Sequence, residues 1–523
     1  MLMKIKTHQA HIALAITIAL LGIVVPYIVA WRISPAGTVF TGFLINPIDG
    51  FSYLAKMRQG FEGAWLFELP YTAEPGAGTF LFVFYIVLGH LSRVLNAPLI
   101  ITYHVVRVIV SAGFFTTLYI FFDQIFEDRR LTWAGFLLSL FGSGLGWLAL
   151  IAGGRQSIDL WVPEAIPFLS AYANPHFPLA ASAFILGILL TIRQGERSWA
   201  QWLLAAILGT VIGAVLPFVV IPLFLVLGAW IIWEYFSQPK TSLSAWFSRA
   251  PLTLLLLVLG ALPWLVYDFW ISISHPVIAE WNNQNLTPSP PLVDTVMGYG
   301  PVLVFALVSL YSRPWRCGRE GRLLTTWLLL GLILLYVPLP FQRRLSMGLY
   351  LPMAGLTVWW LDRLAVIKRR FQLAYVLLIC LTLPSILIVM IAGLSGVENR
   401  SEAILFNQSE LEAYDWIREQ VPNGAVLLTD PLHGNRLPAF APVKVLYGHP
   451  FETPRADFWL DEVNSLLHWE ANAVDGLQLL NEYGVDWVLL DRPENSENLP
   501  IWQAELPVRF SKDSLYILEN TTR

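Results

Sequence analysis

The chain has 523 residues, 56 % of them hydrophobic and 13 % charged, with a formal net charge of −4. Such a composition excludes an ordinary water-soluble domain, and the few, scattered basic residues exclude a nucleic-acid binder; the chain reads as a polytopic membrane protein. Its two cysteines, Cys317 in an Arg-rich loop and Cys380 in an apolar run, offer neither a disulfide framework nor a thiolate metal site.

In chain order, Lys4 and Lys6 precede an apolar run at 12–31 that is too long for a signal-peptide core and lacks a small-x-small cleavage site. An uncleaved first span with a cytoplasmic N-terminus is expected. After a loop at 32–78 and an ambiguous run at 79–95 come apolar runs at 99–121, 131–152, 175–192, 199–215, 217–236, 249–271, 294–311, 322–338, 345–362 and 371–394. Each has the roughly 17 to 25 residues needed to cross a bilayer. Lys and Arg concentrate in "FEDRRLT", "IRQGERS", "SRPWRCGREGR" and "RLAVIKRR", which the positive-inside rule assigns to the cytoplasm. Parity then requires 79–95 to lie along or dip into the outer interface. The loops 32–78, 153–174 and 272–293, the "LPFQRR" loop and everything after about 395 are expected to face outward.

Residues 396–523 are water-soluble in composition. "SELE" marks a helix start near Ser409. Strand-like "AVLLT", "VKVLYG", "VDWVLL" and "LYILE" alternate with helical patterns near 408–420, 457–470 and 474–483, predicting a small α/β domain. The chain carries no phosphate-binding glycine fingerprint and no internal repeat, which argues against ATP-driven and repeat-built transporters.

Several residues can carry chemistry. Asp49, in "NPIDGFSY", sits near the mouth of the first span, where an acid is expensive unless paired or working. It can take a proton from an acceptor hydroxyl, support a divalent ion, or cap the helix that begins there. Glu74 follows in "YTAEPGAG". His104 and Arg107 share a helix face, with Arg107 deep enough to need an anionic partner, an outer acid or a phosphate. The loop "GGRQSIDLWVPEAIPFLSAYANPHFPLAAS" gathers Asp159, Glu164, Asn174 and His176 as a hard-metal or acceptor site, or as a solvated interfacial loop with His176 capping a helix. In "FQRRLSMG", Gln342, Arg343 and Arg344 offer guanidinium forks to a phosphate, the alternative being snorkelling to lipid headgroups. His449, Glu452 and Arg455, in "GHPFETPRADFW", can contact an acceptor or form an ordinary surface loop of a small domain, and the second reading is preferred.

With its first span followed by an acid-bearing loop, its second loop "IDLWVPE" leading to "NPHFPLA", its late "PFQRR" loop and its outward C-terminal domain, the sequence resembles the GT-C superfamily of integral membrane glycosyltransferases, mannosyltransferases and arabinosyltransferases among them. The resemblance implies a polytopic α-helical module of about 11–12 transmembrane helices over residues 1–395, with a small extracytoplasmic α/β domain at 396–523. It implies transfer of a hexosyl or pentosyl group from a polyprenyl-phosphate-sugar donor to a polysaccharide, lipid or protein acceptor at the outer face of the plasma membrane. Asp49 would be the catalytic base or a metal-supporting acid, with Asp159 and Glu164 near the acceptor or metal. Arg343 or Arg344, with Gln342 and Arg107, would hold the donor phosphate, and Glu74, His104, Asn174 and His176 are acceptor or metal candidates. A divalent metal is compatible with this set, its identity open. Two departures stand out: no second acid sits beside Asp49, and no "WWDYG"-like motif of sequon-reading oligosaccharyltransferases occurs. A flippase of lipid-linked sugars and a non-catalytic scaffold are the competing classes. Spans that read as mostly clean, with charges at their outer ends, favour the enzyme over the flippase, and the presence of Asp49 favours it over the scaffold.

Overall fold

The structure is a computed structural model that describes residues 2–237, 243–364, 368–491 and 500–523. Within the basic run "RLAVIKRR", residues 365–367 lie outside the described residues.

Helices form over every apolar run. Seven are long and apolar enough to cross a membrane, among the described residues: His8–Ile33, Leu99–Ile125, Arg129–Gly153, Pro217–Ser237, Arg249–Ser274, Leu292–Ser312 and Arg369–Glu398. Val83–Leu95 has 13 residues, which at 1.5 Å each cover about 20 Å, well short of a hydrocarbon core of about 30 Å.

The spans are less regular than the sequence reading expects. Arg129–Gly153 divides into Arg129–Phe141 and Gly146–Gly153. Leu292–Ser309 kinks at Gly300, whose φ of 51° precedes Pro301. The two irregular helices meet where a Cβ on Gly144 would lie 2.0 Å from the Gly298 carbonyl oxygen and where Leu145 N–H donates to Met297 O at 2.7 Å. Glycine is required for that approach, and the proline next to Gly300 removes a helical donor.

Two compact units result. The first comprises Met1–Pro26, His104–Tyr267 and Thr287–Gly393; the second comprises Tyr27–Tyr103, Asp268–Leu286 and Leu394–Arg523. In the second, β1 (Thr38–Phe40) pairs antiparallel with β2 (Leu405–Asn407). The strands β3 (Val426–Leu428), β4 (Lys444–Val445), β5 (Trp487–Asp491), β6 (Val508–Lys512) and β7 (Leu515–Glu519) form a five-stranded sheet in the order β4-β3-β5-β7-β6. β3 is parallel to β4 and β5, while β7 runs antiparallel to β5 and β6. Its core is Val426, Leu428, Val488, Leu490 and Leu518, packed with Val463, Leu466 and Trp502.

Helix Pro47–Glu62 of the second unit packs on Val83–Leu95 through glycines, since a Cβ on Gly60 would lie 2.1 Å from Ile86 O and one on Gly89 2.0 Å from Met57 O. The same helix meets helix Pro431–Phe440, where Arg58 Nε donates to Ala439 O (3.3 Å) and Asn435 Nδ2 to Ile48 O (3.2 Å). Helix Pro276–Gln284 joins this unit through His275 Nε2 and Ala77 O, 2.9 Å apart, and through Gln284 Nε2, which donates to Thr453 O. The helix expected from Ser409 begins earlier: Asn407 is its N-cap, with a box closed by Glu410.

Candidate functional site

Asp49 lies in the first turn of helix Pro47–Glu62, whose N-cap is Asn46 at φ 48° with no side-chain cap bond. The capping position therefore belongs to Asn46, and Asp49 is placed where the positive end of the helix favours a carboxylate. Its side chain is 43 % exposed, and Oδ1 stands 3.3 Å from His449 Nε2. The opposite ring nitrogen fixes the tautomer. His449 Nδ1 accepts the backbone N–H groups of Phe451 and Glu452, each at 3.1 Å, so it cannot carry a proton, and the hydrogen-bond network assigns the ring proton to Nε2, directed at Asp49.

Behind this pair, in the same unit, Lys56 Nζ donates to Glu452 Oε1 (2.8 Å) and Oε2 (2.9 Å), and Ser52 Oγ donates to Oε1 at 2.9 Å. Lys56 and Glu452 are both buried. Burial pushes the Glu452 carboxyl up, but the Lys56 charge and the bonds from Lys56 and Ser52 outweigh it and hold the group below its ordinary range. Tyr71 packs its ring 5.9 Å from that of His449 and donates to Asn435 O at 3.3 Å. Burial, then the charges of Glu452 and Asp49, pushes its phenol well above the ordinary value.

This arrangement corrects the preferred reading of "GHPFETPRADFW" as a plain surface loop, because His449 and Glu452 are buried and partnered, and of the three candidates only Arg455 is exposed. The overlooked signal is Asp49, Ser52 and Lys56 at i, i+3 and i+7, one polar stripe on a helix. Glu74, also in this unit, is exposed, its backbone N–H turned to Thr72 Oγ1.

In the first unit, Asp159 is 1 % exposed. Its Oδ2 accepts from Ser143 Oγ (3.3 Å), Gly144 N (3.1 Å) and Gly146 N (3.0 Å), and its Oδ1 accepts from Ser157 Oγ. Burial pushes this carboxyl up, against the lowering effect of the bonds from Ser157 and the Gly146 amide among others. The carboxylate thus satisfies the amides freed where Arg129–Gly153 breaks, so its geometry is structural rather than that of the acceptor or metal acid expected from the sequence. Glu164 is also buried, and its Oε2 has no hydrogen-bond partner among the described residues.

The phosphate-clamp candidates diverge. Gln342 is spent on the loop: Oε1 accepts from Ser289 N (3.0 Å) and Nε2 donates to Val337 O (2.7 Å). Arg343 lays its guanidinium 4.8 Å from the Trp161 ring centroid, with Nε buried and without a hydrogen-bond acceptor among the described residues. Arg344 stacks over Phe218 at 4.6 Å. Arg107 donates to the carbonyls of Tyr172 (2.8 Å), Ile23 (3.1 Å) and Ala171 (3.2 Å) and to His104 Nδ1 (3.2 Å), so carbonyls meet much of the demand assigned to an anion. Asn174 ends helix Pro167–Ala173, and buried His176 is the first residue of helix His176–Ile192, behind Pro175 as N-cap.

Among the described residues, no three His, Cys, Asp or Glu side chains gather as metal ligands would. His449 does not fit a metal either, because the nitrogen facing Asp49 carries the ring proton. A divalent ion is therefore not supported by the residues gathered around Asp49.

No family model matches the chain, and no curated protein matches its sequence. Solved structures do match. The Archaeoglobus fulgidus oligosaccharyltransferase tethered with an acceptor peptide containing the NVT sequon is similar at TM-score 0.55 and 15 % identity, over 92 % of this chain and 69 % of that one. ArnT from Cupriavidus metallidurans bound to undecaprenyl phosphate is similar at TM-score 0.51 and 12 % identity, over 98 % of both chains. The arabinofuranosyltransferase AftD from mycobacteria gives TM-score 0.53 and 14 % identity, over 98 % of this chain and 40 % of that one. At such identities the likeness is one of fold, and the chain has the GT-C fold of membrane glycosyltransferases, a polytopic helical protein with a small C-terminal sheet domain.

Proposed function

We propose that this chain is a membrane glycosyltransferase that moves a sugar from a polyprenyl-phosphate carrier to an acceptor hydroxyl, with Asp49 as general base. The observation that carries the reading is the Asp49–His449 contact, in which two backbone amides fix the histidine tautomer and the proton on Nε2 orients a half-exposed carboxylate. The structural relative bound to undecaprenyl phosphate supports the choice of carrier.

In the reaction, the acceptor oxygen attacks the anomeric carbon and its proton passes to Asp49. The bond between that carbon and the phosphate oxygen breaks, and polyprenyl phosphate leaves with the electron pair. Because this leaving group is a stable anion, the protein chiefly has to supply a base, positioning and positive charge. The C-terminal domain, residues 396–523, is assigned to the extracytoplasmic side, with the N-terminus cytoplasmic.

The test is release of labelled sugar from a panel of polyprenyl-phosphate sugars by purified protein in nanodiscs. Turnover is expected from the wild type and not from Asp49→Asn; equal turnover from both would sink the assignment. A second reading, movement of a lipid-linked sugar across the bilayer, draws on the breaks at Gly142–Leu145 and Gly300. Carrier movement in proteoliposomes without sugar release would favour it, although Asp159 already occupies the amides of the first break.

A further inference from the structure

We propose that Phe451 is the platform on which a saccharide acceptor lays one ring face beside Asp49, an inference that rests on the reading of Asp49 as the base. Phe451 is 53 % exposed, yet its backbone is held on both sides. Its N–H donates to His449 Nδ1 at 3.1 Å and its carbonyl accepts from Gln284 Nε2 at 3.4 Å. The turn is fixed further by Thr453 Oγ1, which accepts from Gly448 N (3.2 Å) and His449 N (3.1 Å). The result is a large exposed apolar ring on a loop whose backbone is already held, which lowers the ordering cost when a ligand arrives.

Its neighbours give the ring a chemical context. The His449 and Phe451 ring centroids are 6.1 Å apart, so a single imidazole separates the phenyl group from the Asp49 carboxylate. Ile48, next to Asp49, is exposed. A pyranose or furanose has an apolar C–H face for the phenyl ring and a rim of hydroxyls for the Asp49 carboxylate one imidazole away, so a single sugar ring meets both partners. An acyl chain offers nothing to that carboxylate.

The experiment places 4-fluorophenylalanine at position 451 of the full-length protein in nanodiscs and follows its fluorine resonance against methyl mannoside, methyl galactoside, methyl arabinofuranoside and, as an apolar alcohol, farnesol. A saturable shift with at least one glycoside and none with farnesol is expected; a shift with farnesol alone, or with no probe, overturns the proposal. This readout needs no turnover, so it stands apart from the assignment of Asp49. In the transfer assay, Phe451→Ala is expected to raise KM for the responding glycoside about tenfold and to be rescued by Phe451→Trp. An unchanged acceptor KM in Phe451→Ala also overturns it.

Discussion

Asp49 and Asp159 look alike in the sequence, each an acid in a long loop next to an apolar run, and they end in opposite states. Asp49 keeps a 43 % exposed side chain facing one histidine N–H. Asp159 is buried, and two serine hydroxyls and two backbone amides occupy its oxygens. A carboxylate whose lone pairs are already filled by fixed donors has little capacity left to take a proton from a substrate; one that is oriented but still wet has that capacity. On the proposed reading the difference separates a working acid from a structural one, and it lies in exposure rather than in position in a loop.

The contrast can be broken most sharply at Asp49. Asp49→Asn should lower transfer by roughly 10²- to 10⁴-fold while leaving the melting temperature near wild type, and a large stability loss with residual activity would erase the distinction. Next in size, Glu452→Ala leaves Lys56 buried without its carboxylate, a change that should cost about 3–5 kcal/mol, read as a drop in thermal midpoint. Asp159→Ala strips several buried donors at once and should cost about 3 kcal/mol, and the protein that remains folded should keep its turnover per molecule. If activity fell far more than stability, Asp159 would belong with Asp49 after all.

The smallest effect expected is one of pH. Glu452 has its carboxyl held below the ordinary range in the folded state. Its stabilising contribution is therefore complete above the unfolded-state value of about 4.3 and is lost as pH falls through the lower folded value. Melting followed into the acid range should accordingly decline more steeply for the wild type than for Glu452→Gln; parallel curves would show that the Lys56–Glu452 pair does not govern acid sensitivity.

Much of the fold was legible because long apolar runs and strand alternation are local signals: helices appear over each run, and strands over "AVLLT", "VKVLYG", "VDWVLL" and "LYILE". Helix Pro431–Phe440 was not, since Gly434 and Pro438 depress its propensity, and it stands on the Asp430 cap and on docking against Pro47–Glu62. β6, "VRFSK", is an exposed edge strand with a register shift against β7, so alternation is blurred. At the site, Asp49 stood out because an acid near a span is conspicuous. His449 did not, because its role depends on a partner 400 residues away in the chain, and no local pattern encodes such a pairing.

The antiparallel pairing of Thr38–Phe40 with Leu405–Asn407 also sets a timetable. During synthesis the segment bearing Asp49 emerges before the strand that pairs with Thr38–Phe40 and before the histidine that orients its carboxylate. Contacts this distant in sequence form late. A growing chain therefore carries its acid without its orienting partner until the segment bearing His449 has been made, and maturation of this region is gated by the arrival of that segment.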